Sequence, residues 1–287
     1  MSISIEPISI NPGKIKAIAI DLDGTLLAPG RVLSERAIKA IEKCRRKGIQ
    51  VIISTGRSIE SAECFRAALA AEGPMVYLNG ALVADVPQAK VLSIVPLAAT
   101  AAELCVDLAR EKGVYCQLYI SGDNSSGSTT LMAEMDCPER EQYFEHTRLM
   151  SELVDLKKTL RRTGPDSCIK CMFLADPEKL SELRQRLEER LGKSVYIALT
   201  LWNFMEVMDA KVSKGTGLKF LMELKSWKAE EVIAIGDEEN DLPMFEVAGF
   251  SVAPASAKDS VKARADLVVG SNADDGVAVF LEELFGF

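Results

Sequence analysis

An apolar run that ends in two carboxylates decides the fold of this chain: Ile15-Lys16-Ala17-Ile18-Ala19-Ile20-Asp21-Leu22-Asp23-Gly24-Thr25-Leu26-Leu27. The isoleucines before Asp21 favour a buried parallel strand, and Gly24 permits a tight turn as the chain leaves the sheet. In an open α/β sheet, ligands bind at the carboxyl edge, where two carboxylates can hold Mg2+ or attack an electrophile. Asp and Gly are also ordinary turn residues, so this pattern alone does not separate a site from a turn.

Three later segments place further reactive groups at strand ends or at a helix start. They are Ser54-Thr55-Gly56-Arg57 after an apolar run, Val212-Ser213-Lys214-Gly215-Thr216-Gly217 at the start of a helical pattern, and Gly236-Asp237-Glu238-Glu239-Asn240-Asp241 after a second apolar run. Together with the first stretch they supply a nucleophile, a hydroxyl, a cation and another metal ligand. Such a set favours a catalytic site over a simple turn.

The four motifs D-x-D-G-T-L-L, T-G-R, S-K-G and G-D-x-x-N-D, in this order, resemble those of one protein family. The chain is similar to hydrolases of the haloacid dehalogenase (HAD) superfamily, and within it to the Cof-type (subfamily IIB) phosphatases. The likeness extends to Leu78-Asn79-Gly80-Ala81, Asn203-Phe204-Met205-Glu206-Val207 and Asp275-Gly276-Val277-Ala278. It implies an α/β fold with a Rossmann-like, doubly wound parallel sheet core (the HAD fold) and an inserted α+β cap domain of the C2 type.

The periodicity of the sequence predicts where the insert lies. Strand and helix patterns alternate from residue 15 to about 82, with 75–77 as a third core strand, and the alternation resumes near 211. We therefore expect a discontinuous catalytic core of 1–82 plus 211–287 and an inserted cap of 83–210. Within the insert, apolar runs predict five strands, and longer periodic stretches predict helices over 100–111, 139–161 and 177–191.

Composition limits the function classes. At 287 residues the chain is long enough for two domains, and its net charge of −8 with dispersed basic residues excludes a nucleic-acid binder. The apolar runs fall short of the about 20 residues that a membrane span needs, and no secretory signal is recognisable. We expect a soluble, cytoplasmic protein, monomeric or homodimeric, that does not engage membranes.

The seven cysteines do not form a disulfide framework, so reduced thiols are expected. Cys168 and Cys171 have the C-x-x-C spacing of some zinc and redox sites. No second such pair or histidine pair accompanies them, and residues three apart on a strand should face opposite sides. The one histidine, His146, excludes a histidine-based nucleophilic triad unless it serves that triad itself.

The chemistry of a phosphate monoester suggests roles for the motif residues. Asp21 can attack phosphorus, and Asp23 can protonate the leaving alkoxide and later activate water, provided that a cation offsets the negative charge. The resemblance implies the same two catalytic residues. It also implies a metal site made by Asp21, Asp237 and the main-chain carbonyl of Asp23, with Mg2+ as cofactor and Asp241 supporting the metal through its neighbours.

Other groups are expected to bind the substrate. Thr55, Gly56 and Lys214 would hold the phosphoryl oxygens, and Asn240 would donate a hydrogen bond to the phosphate or orient Asp237. In the cap, Trp202 and Asn203 are the candidates for contact with the alcohol half of the ester. Trp202 could instead lie in the apolar core of the cap.

The expected function is Mg2+-dependent hydrolysis of a small-molecule phosphate ester, a sugar phosphate or a related phosphometabolite, through an aspartyl-phosphate intermediate. The motifs leave two alternatives open. One is a phosphomutase of the same superfamily, which passes the phosphoryl group to another hydroxyl. The other is a non-catalytic protein that binds a phosphometabolite.

Overall fold

The computed structural model describes residues 10–122 and 127–287. Its strands are β1 (Ala17–Ile20), β2 (Gln50–Ile53), β3 (Met75–Tyr77), β4 (Leu82–Asp85), β5 (Lys90–Ile94), β6 (Tyr115–Ser121), β7 (Thr129–Ala133), β8 (Glu152–Leu153), β9 (Cys168–Leu174), β10 (Val195–Leu201), β11 (Phe204–Asp209), β12 (Val232–Ile235), β13 (Phe250–Pro254) and β14 (Leu267–Val269). Its helices are α1 (Glu35–Arg46), α2 (Ile59–Ala68), α3 (Ala99–Lys112), α4 (Pro138–Thr147), α5 (Leu156–Thr163), α6 (Pro177–Leu191), α7 (Lys214–Lys225), α8 (Leu242–Phe245), α9 (Asp259–Lys262) and α10 (Gly276–Phe285). None of these helices combines the length and the apolar character that crossing a membrane requires, as far as the described ranges extend.

The described residues form two compact units. Unit 1 consists of residues 10–54, Phe65–Glu72 and Leu218–Phe287, and unit 2 consists of the described residues of Thr55–Cys64 and Gly73–Gly217. Unit 2 therefore includes three segments that we assigned from the sequence to the catalytic core, namely 55–64, 73–82 and 211–217. The division into a core of 1–82 plus 211–287 and a cap of 83–210 stays our proposal for the domains.

Unit 1 is built around a five-stranded sheet. The strand order is β14-β13-β12-β1-β2, and every neighbouring pair is parallel. All residues of β1 and β12 are buried, as expected of strands covered on both faces. The predicted parallel α/β sheet is confirmed. Because β1 and β12 are adjacent and parallel, the residues that follow them emerge side by side at one edge.

Unit 2 has its own α+β architecture, as predicted. Its larger sheet has the order β10-β11-β9-β6-β7-β8 and is antiparallel except for the last pair. Buried residues of α3, α5 and α6 form one apolar core with sheet residues that include Leu118, Phe173 and Val207. A second, antiparallel sheet has the order β3-β4-β5.

The prediction that 75–77 form a third strand of the core sheet is wrong. The strand β3 pairs antiparallel with β4, a strand that the sequence analysis missed. Between them Leu78, Asn79 and Gly80 all have positive φ, at 49°, 54° and 98°, which reverses the chain within three residues. This backbone reversal makes a hairpin of β3 and β4.

The prediction of a single helix over 139–161 is also wrong, because two helices occupy this range. Arg148 adopts a left-handed conformation (φ 63°) that ends α4. Asp155 then caps α5 by accepting a hydrogen bond from the Lys158 N–H at 3.0 Å. The stretch 148–155 contains no Pro or Gly, so the sequence carries no helix breaker that would predict this interruption.

Cys168 and Cys171 lie on the same face of β9, which contradicts the expectation of opposite faces. Their Sγ atoms are 4.0 Å apart. The cause is an irregularity in the β6–β9 pairing: Tyr119 pairs with Lys170 but Ile120 pairs with Cys168, so one residue of β9 is skipped. Both thiols are buried, all seven cysteines are free, and burial raises the pKa of the Cys171 thiol well above its usual value. Both side chains belong to the apolar core of unit 2.

Candidate active site

Three buried carboxylates meet in unit 1. Asp21 directly follows β1, while Asp237 and Asp241 follow the neighbouring strand β12. One oxygen of each carboxylate lies within 4.8 Å of the others, and each residue is at least nine-tenths buried. Carboxylate oxygens are the ligands that Mg2+ and similar hard cations prefer. The donor set therefore fits a metal ion, and it is the one cluster of this kind in the described part of the chain.

Asp241 holds the loop that carries Asp237. Its Oδ2 accepts hydrogen bonds from the main-chain N–H groups of Asp237 and Glu238, each at 3.0 Å. Gly236 makes this contact possible, because a Cβ at that position would lie 2.3 Å from the Asp241 Cβ. The sequence analysis gave Asp241 a supporting role, and the structure also brings its carboxylate within reach of the other two.

Thr25 contacts this cluster, and the sequence analysis assigned it no role. Its Oγ1 donates a hydrogen bond of 2.5 Å to Asp237 Oδ1, and its side chain is buried. Because the two residues are 212 positions apart, no local spacing indicates the contact. The available signal was the position of Thr25 within the D-x-D-G-T motif.

Gly24 provides the space for Asp237. It has a φ of +82°, and a Cβ built on it would lie 2.2 Å from Asp237 Oδ2. A side chain at this position would therefore be strained and would also collide with a carboxylate of the cluster.

We expect Gly24→Ala to lower the free energy of unfolding by about 1–3 kcal/mol more than Gly30→Ala does. Gly30 is the matched control: it has a similar φ of +79°, but its added Cβ would meet only Val32 Cγ2 at 4.0 Å. Both variants bear the backbone strain, and only Gly24→Ala adds the collision. Urea denaturation of the two variants measures the difference, and equal losses would contradict the tight packing of Asp237 on Gly24.

Two other residues predicted for the site also belong to unit 1. Asp23 is half-buried and, within the ranges described, its side chain does not belong to the three-carboxylate cluster. A strand-like bridge to Leu27 fixes its backbone. Asn240 is half-buried in the short helical turn Glu239–Asp241, between two members of the cluster in sequence.

The predicted phosphate-binding residues Thr55, Gly56 and Lys214 belong to unit 2. Thr55 is fully buried, and its N–H donates to the Val76 carbonyl at 2.9 Å. Lys214 is 1% exposed and is the first residue of α7. The Ser213 Oγ accepts the Thr216 N–H at 3.0 Å, so it caps this helix as predicted. The positive end of a 12-residue helix therefore lies beside the Lys214 backbone.

Trp202 and Asn203 form the turn between β10 and β11. Trp202 is 70% exposed, so the alternative that it lies in an apolar core is wrong. Asn203 is buried, and its Nδ2 donates to Gln142 Oε1 at 3.1 Å. The turn thus presents one indole to solvent and is anchored by a buried amide.

Comparisons with known proteins agree on one family. The profile of the haloacid dehalogenase-like hydrolases matches residues 18–281. Pyridoxal phosphate phosphatase YbhA of Escherichia coli (strain K12) is 29% identical over 276 residues, which cover 93% of this chain and 97% of that protein. The 5-amino-6-(5-phospho-D-ribitylamino)uracil phosphatase YwtE of Bacillus subtilis (strain 168) is 28% identical over 285 residues, covering 94% and 98%. The crystal structure of TM0651 from Thermotoga maritima superposes with a TM-score of 0.81 at 30% identity, covering 94% of this chain and 97% of that one.

Proposed function

Because this chain belongs to the haloacid dehalogenase-like hydrolases, as a Cof-type phosphatase, we propose that it hydrolyses a small phosphate monoester with Mg2+ through an aspartyl-phosphate intermediate. Membership of the family confirms the resemblance drawn from the four motifs. The observation that best supports the proposed chemistry is the cluster of three buried carboxylates at the ends of β1 and β12.

Asp21 and Asp23 would carry the two covalent steps. In the first, an Asp21 carboxylate oxygen forms a bond to phosphorus while the bond from phosphorus to the ester oxygen breaks, and Asp23 gives its proton to the departing alkoxide. In the second, Asp23 takes a proton from water, and the water oxygen attacks phosphorus. Inorganic phosphate leaves, and the Asp21 carboxylate is restored.

The metal would be held by Asp21, Asp237 and the main-chain carbonyl of Asp23. A bound Mg2+ offsets the negative charge of the phosphate as the anionic nucleophile approaches. Asp241 would keep Asp237 in place through its two main-chain hydrogen bonds, and Thr25 would orient the same carboxylate.

The phosphoryl oxygens would be bound by Thr55, Gly56, Lys214 and Asn240. The Thr55 hydroxyl accepts a hydrogen bond from the Arg57 N–H at 3.2 Å and retains a proton that it can donate. Lys214 would supply a positive charge at the start of α7, where the helix end also favours an anion.

The substrate would be a sugar phosphate or a related phosphometabolite. The two relatives are named for hydrolysis of pyridoxal phosphate and of a phosphorylated ribitylaminouracil, both small metabolites with one phosphate ester. A panel of sugar phosphates, pyridoxal phosphate, flavin precursors and nucleotides, assayed for inorganic phosphate, tests the proposal. Release of phosphate without a bisphosphate activator distinguishes the phosphatase from a phosphomutase. Absence of turnover across the panel would support the binding protein instead.

We expect Trp202→Ala to change the ranking of the esters in this panel, because an exposed indole at the β10–β11 turn is free to contact an alcohol group. Turnover of p-nitrophenyl phosphate, a small activated ester, should change by less than about threefold, since the phosphate-binding groups are untouched. Asn203→Ala should act indirectly, through loss of its anchor to Gln142. Trp227→Ala, which removes the other tryptophan of the chain, is the control. If both turn variants leave the ranking of the esters unchanged, Trp202 and Asn203 do not determine which ester the protein prefers.

A further inference from the structure

Unit 2 contains a buried ion pair that the proposed chemistry does not use. The Lys170 Nζ lies 2.8 Å from Glu206 Oε1, and the two residues are 1% and 3% exposed. They project from the neighbouring strands β9 and β11. Removing two charges from water is unfavourable, and a buried pair is often no more stabilising than apolar residues of similar size. The contacts of Lys170 and Glu206 with neighbouring residues indicate a role other than stabilising the fold.

Lys170 reaches the predicted phosphate-binding loop. Its Nζ donates a second hydrogen bond, of 3.3 Å, to the carbonyl oxygen of Gly56. The same ammonium lies over the ring of Tyr119, 4.3 Å from its centroid. The charge is thus held between a carboxylate, an aromatic face and one main-chain carbonyl of the loop.

Glu206 reaches the same loop by another route. Its Oε2 accepts a hydrogen bond of 2.8 Å from the Asn79 Nδ2. Asn79 has a left-handed backbone, and its N–H donates to the Thr55 carbonyl at 3.0 Å. Its side-chain amide also lies against Gly56, where an added Cβ would be 3.1 Å from Asn79 Oδ1. The pair therefore holds both Thr55 and Gly56, one through Asn79 and one directly.

The turn that contains Asn79 also supports the start of α7. A Cβ on Gly80 would lie 2.0 Å from the carbonyl oxygen of Ser213, so the backbone before Lys214 packs directly on this glycine. Leu78, in the same turn, donates its N–H to the Arg57 carbonyl at 3.0 Å. One strained turn thus contacts both segments that carry predicted phosphate ligands in unit 2.

We propose that Lys170 and Glu206 are positioning residues for phosphate binding: they fix the main chain of Thr55 and Gly56 through the Gly56 carbonyl and through Asn79. Being buried, they act through the loop and do not touch the substrate. This inference rests on the proposed phosphatase function, because it assigns phosphate binding to that loop.

The test is Lys170→Met, which removes the ammonium and keeps an unbranched side chain. We expect the inhibition constant of inorganic phosphate to rise about tenfold, the loss typical of one hydrogen bond to a charged group. The KM values of two esters with unlike alcohols should rise by the same factor, because the loop contacts the phosphoryl group that they share. Lys112→Met is the matched control: it breaks a surface ion pair with Glu182 in unit 2 and should leave all three constants unchanged.

A merely structural role predicts another pattern. Partial unfolding would lower kcat in proportion to the folded fraction and leave the inhibition constant of phosphate unchanged, and that result would overturn the proposal. If Lys170→Met does not fold, Lys170→Met/Glu206→Met is measured in its place, because replacing both charges leaves no unpaired buried carboxylate. The tenfold rise is expected there as well.

Failure of the proposed function is distinguishable from failure of this inference. If the wild-type protein turns over no ester, the phosphatase proposal fails. Binding of inorganic phosphate, measured by calorimetry on wild type, Lys170→Met and Lys112→Met, then still tests the loop. Equal affinity in all three would overturn the positioning role, and a loss confined to Lys170→Met would support it.

Discussion

Asp21→Asn is expected to lower the rate of phosphate release by at least about a thousandfold, because the amide keeps the shape of the side chain but removes the attacking charge. Asp21 lies at the end of β1 among the three buried carboxylates. The variant should stay folded, and acid-quenched protein should carry no hydroxylamine-sensitive phosphate. Phosphate release at more than a few per cent of the wild-type rate would contradict the assignment of the nucleophile.

Asp23→Asn is the matched control, since it makes the same change two residues further on. It removes the proton donor and leaves the nucleophile in place. Turnover of an alkyl phosphate should fall steeply, whereas p-nitrophenyl phosphate, whose leaving group needs no proton, should be affected far less in the first step. Equal losses on both esters in the rate of the first step, measured as phosphoenzyme formation in a single turnover, would show that Asp23 does not protonate the leaving group.

The parallel sheet of unit 1 was predictable because its strands are encoded locally. β1 and β12 are continuous apolar runs, each ending at an acidic motif, and they are buried over their full length. The helix predicted over 177–191 has the observed bounds Pro177–Leu191, since Pro starts it and Gly192 follows it. Where the ends of a helix or strand carry such signals, the sequence was sufficient to predict the element and its bounds.

The errors in the fold arose where long-range pairing decides the structure. Nothing local in Met75–Tyr77 indicates whether it joins the parallel sheet or folds back on β4, because either partner buries the same apolar residues. The shared face of Cys168 and Cys171 depends on a skipped residue in the pairing of β9 with β6. Such irregularities are a property of two strands together, so one strand alone does not reveal them.

The candidate site shows the same limit. Its acidic residues could be named from motifs, but their supporting contacts could not. Thr25 bonds to Asp237 across 212 positions, and Lys170 bonds to Gly56 across 114. The sequence does show a lysine within an apolar strand. Because burying an ammonium requires specific partners, we expect such a lysine in related chains to have specific polar contacts as well.

Removal of the metal is expected to abolish turnover, with Mg2+ restoring it. The reason is electrostatic: three buried carboxylates within 4.8 Å of one another, together with a dianionic ester, concentrate negative charge that a cation must offset. EDTA treatment followed by Mg2+ titration measures the effect. Ca2+ should inhibit, because its longer bonds and larger coordination number displace Asp21 from phosphorus. Full activity in EDTA would refute a metal requirement.

The contacts of Asp237 predict that different substitutions raise the required Mg2+ concentration by different amounts. Losing a neighbour that orients a metal ligand weakens metal binding by about 10–100-fold, so Thr25→Val should raise the Mg2+ concentration for half-maximal activity within that range. Thr25→Ser keeps the hydroxyl and should stay near wild type. Asp237→Ala removes the ligand itself and should exceed the effect of Thr25→Val. If the three variants required the same Mg2+ concentration for half-maximal activity, Asp237 would not be a metal ligand. Thr25 orients the Asp237 carboxylate, and this orientation affects the metal requirement only if the carboxylate binds the metal.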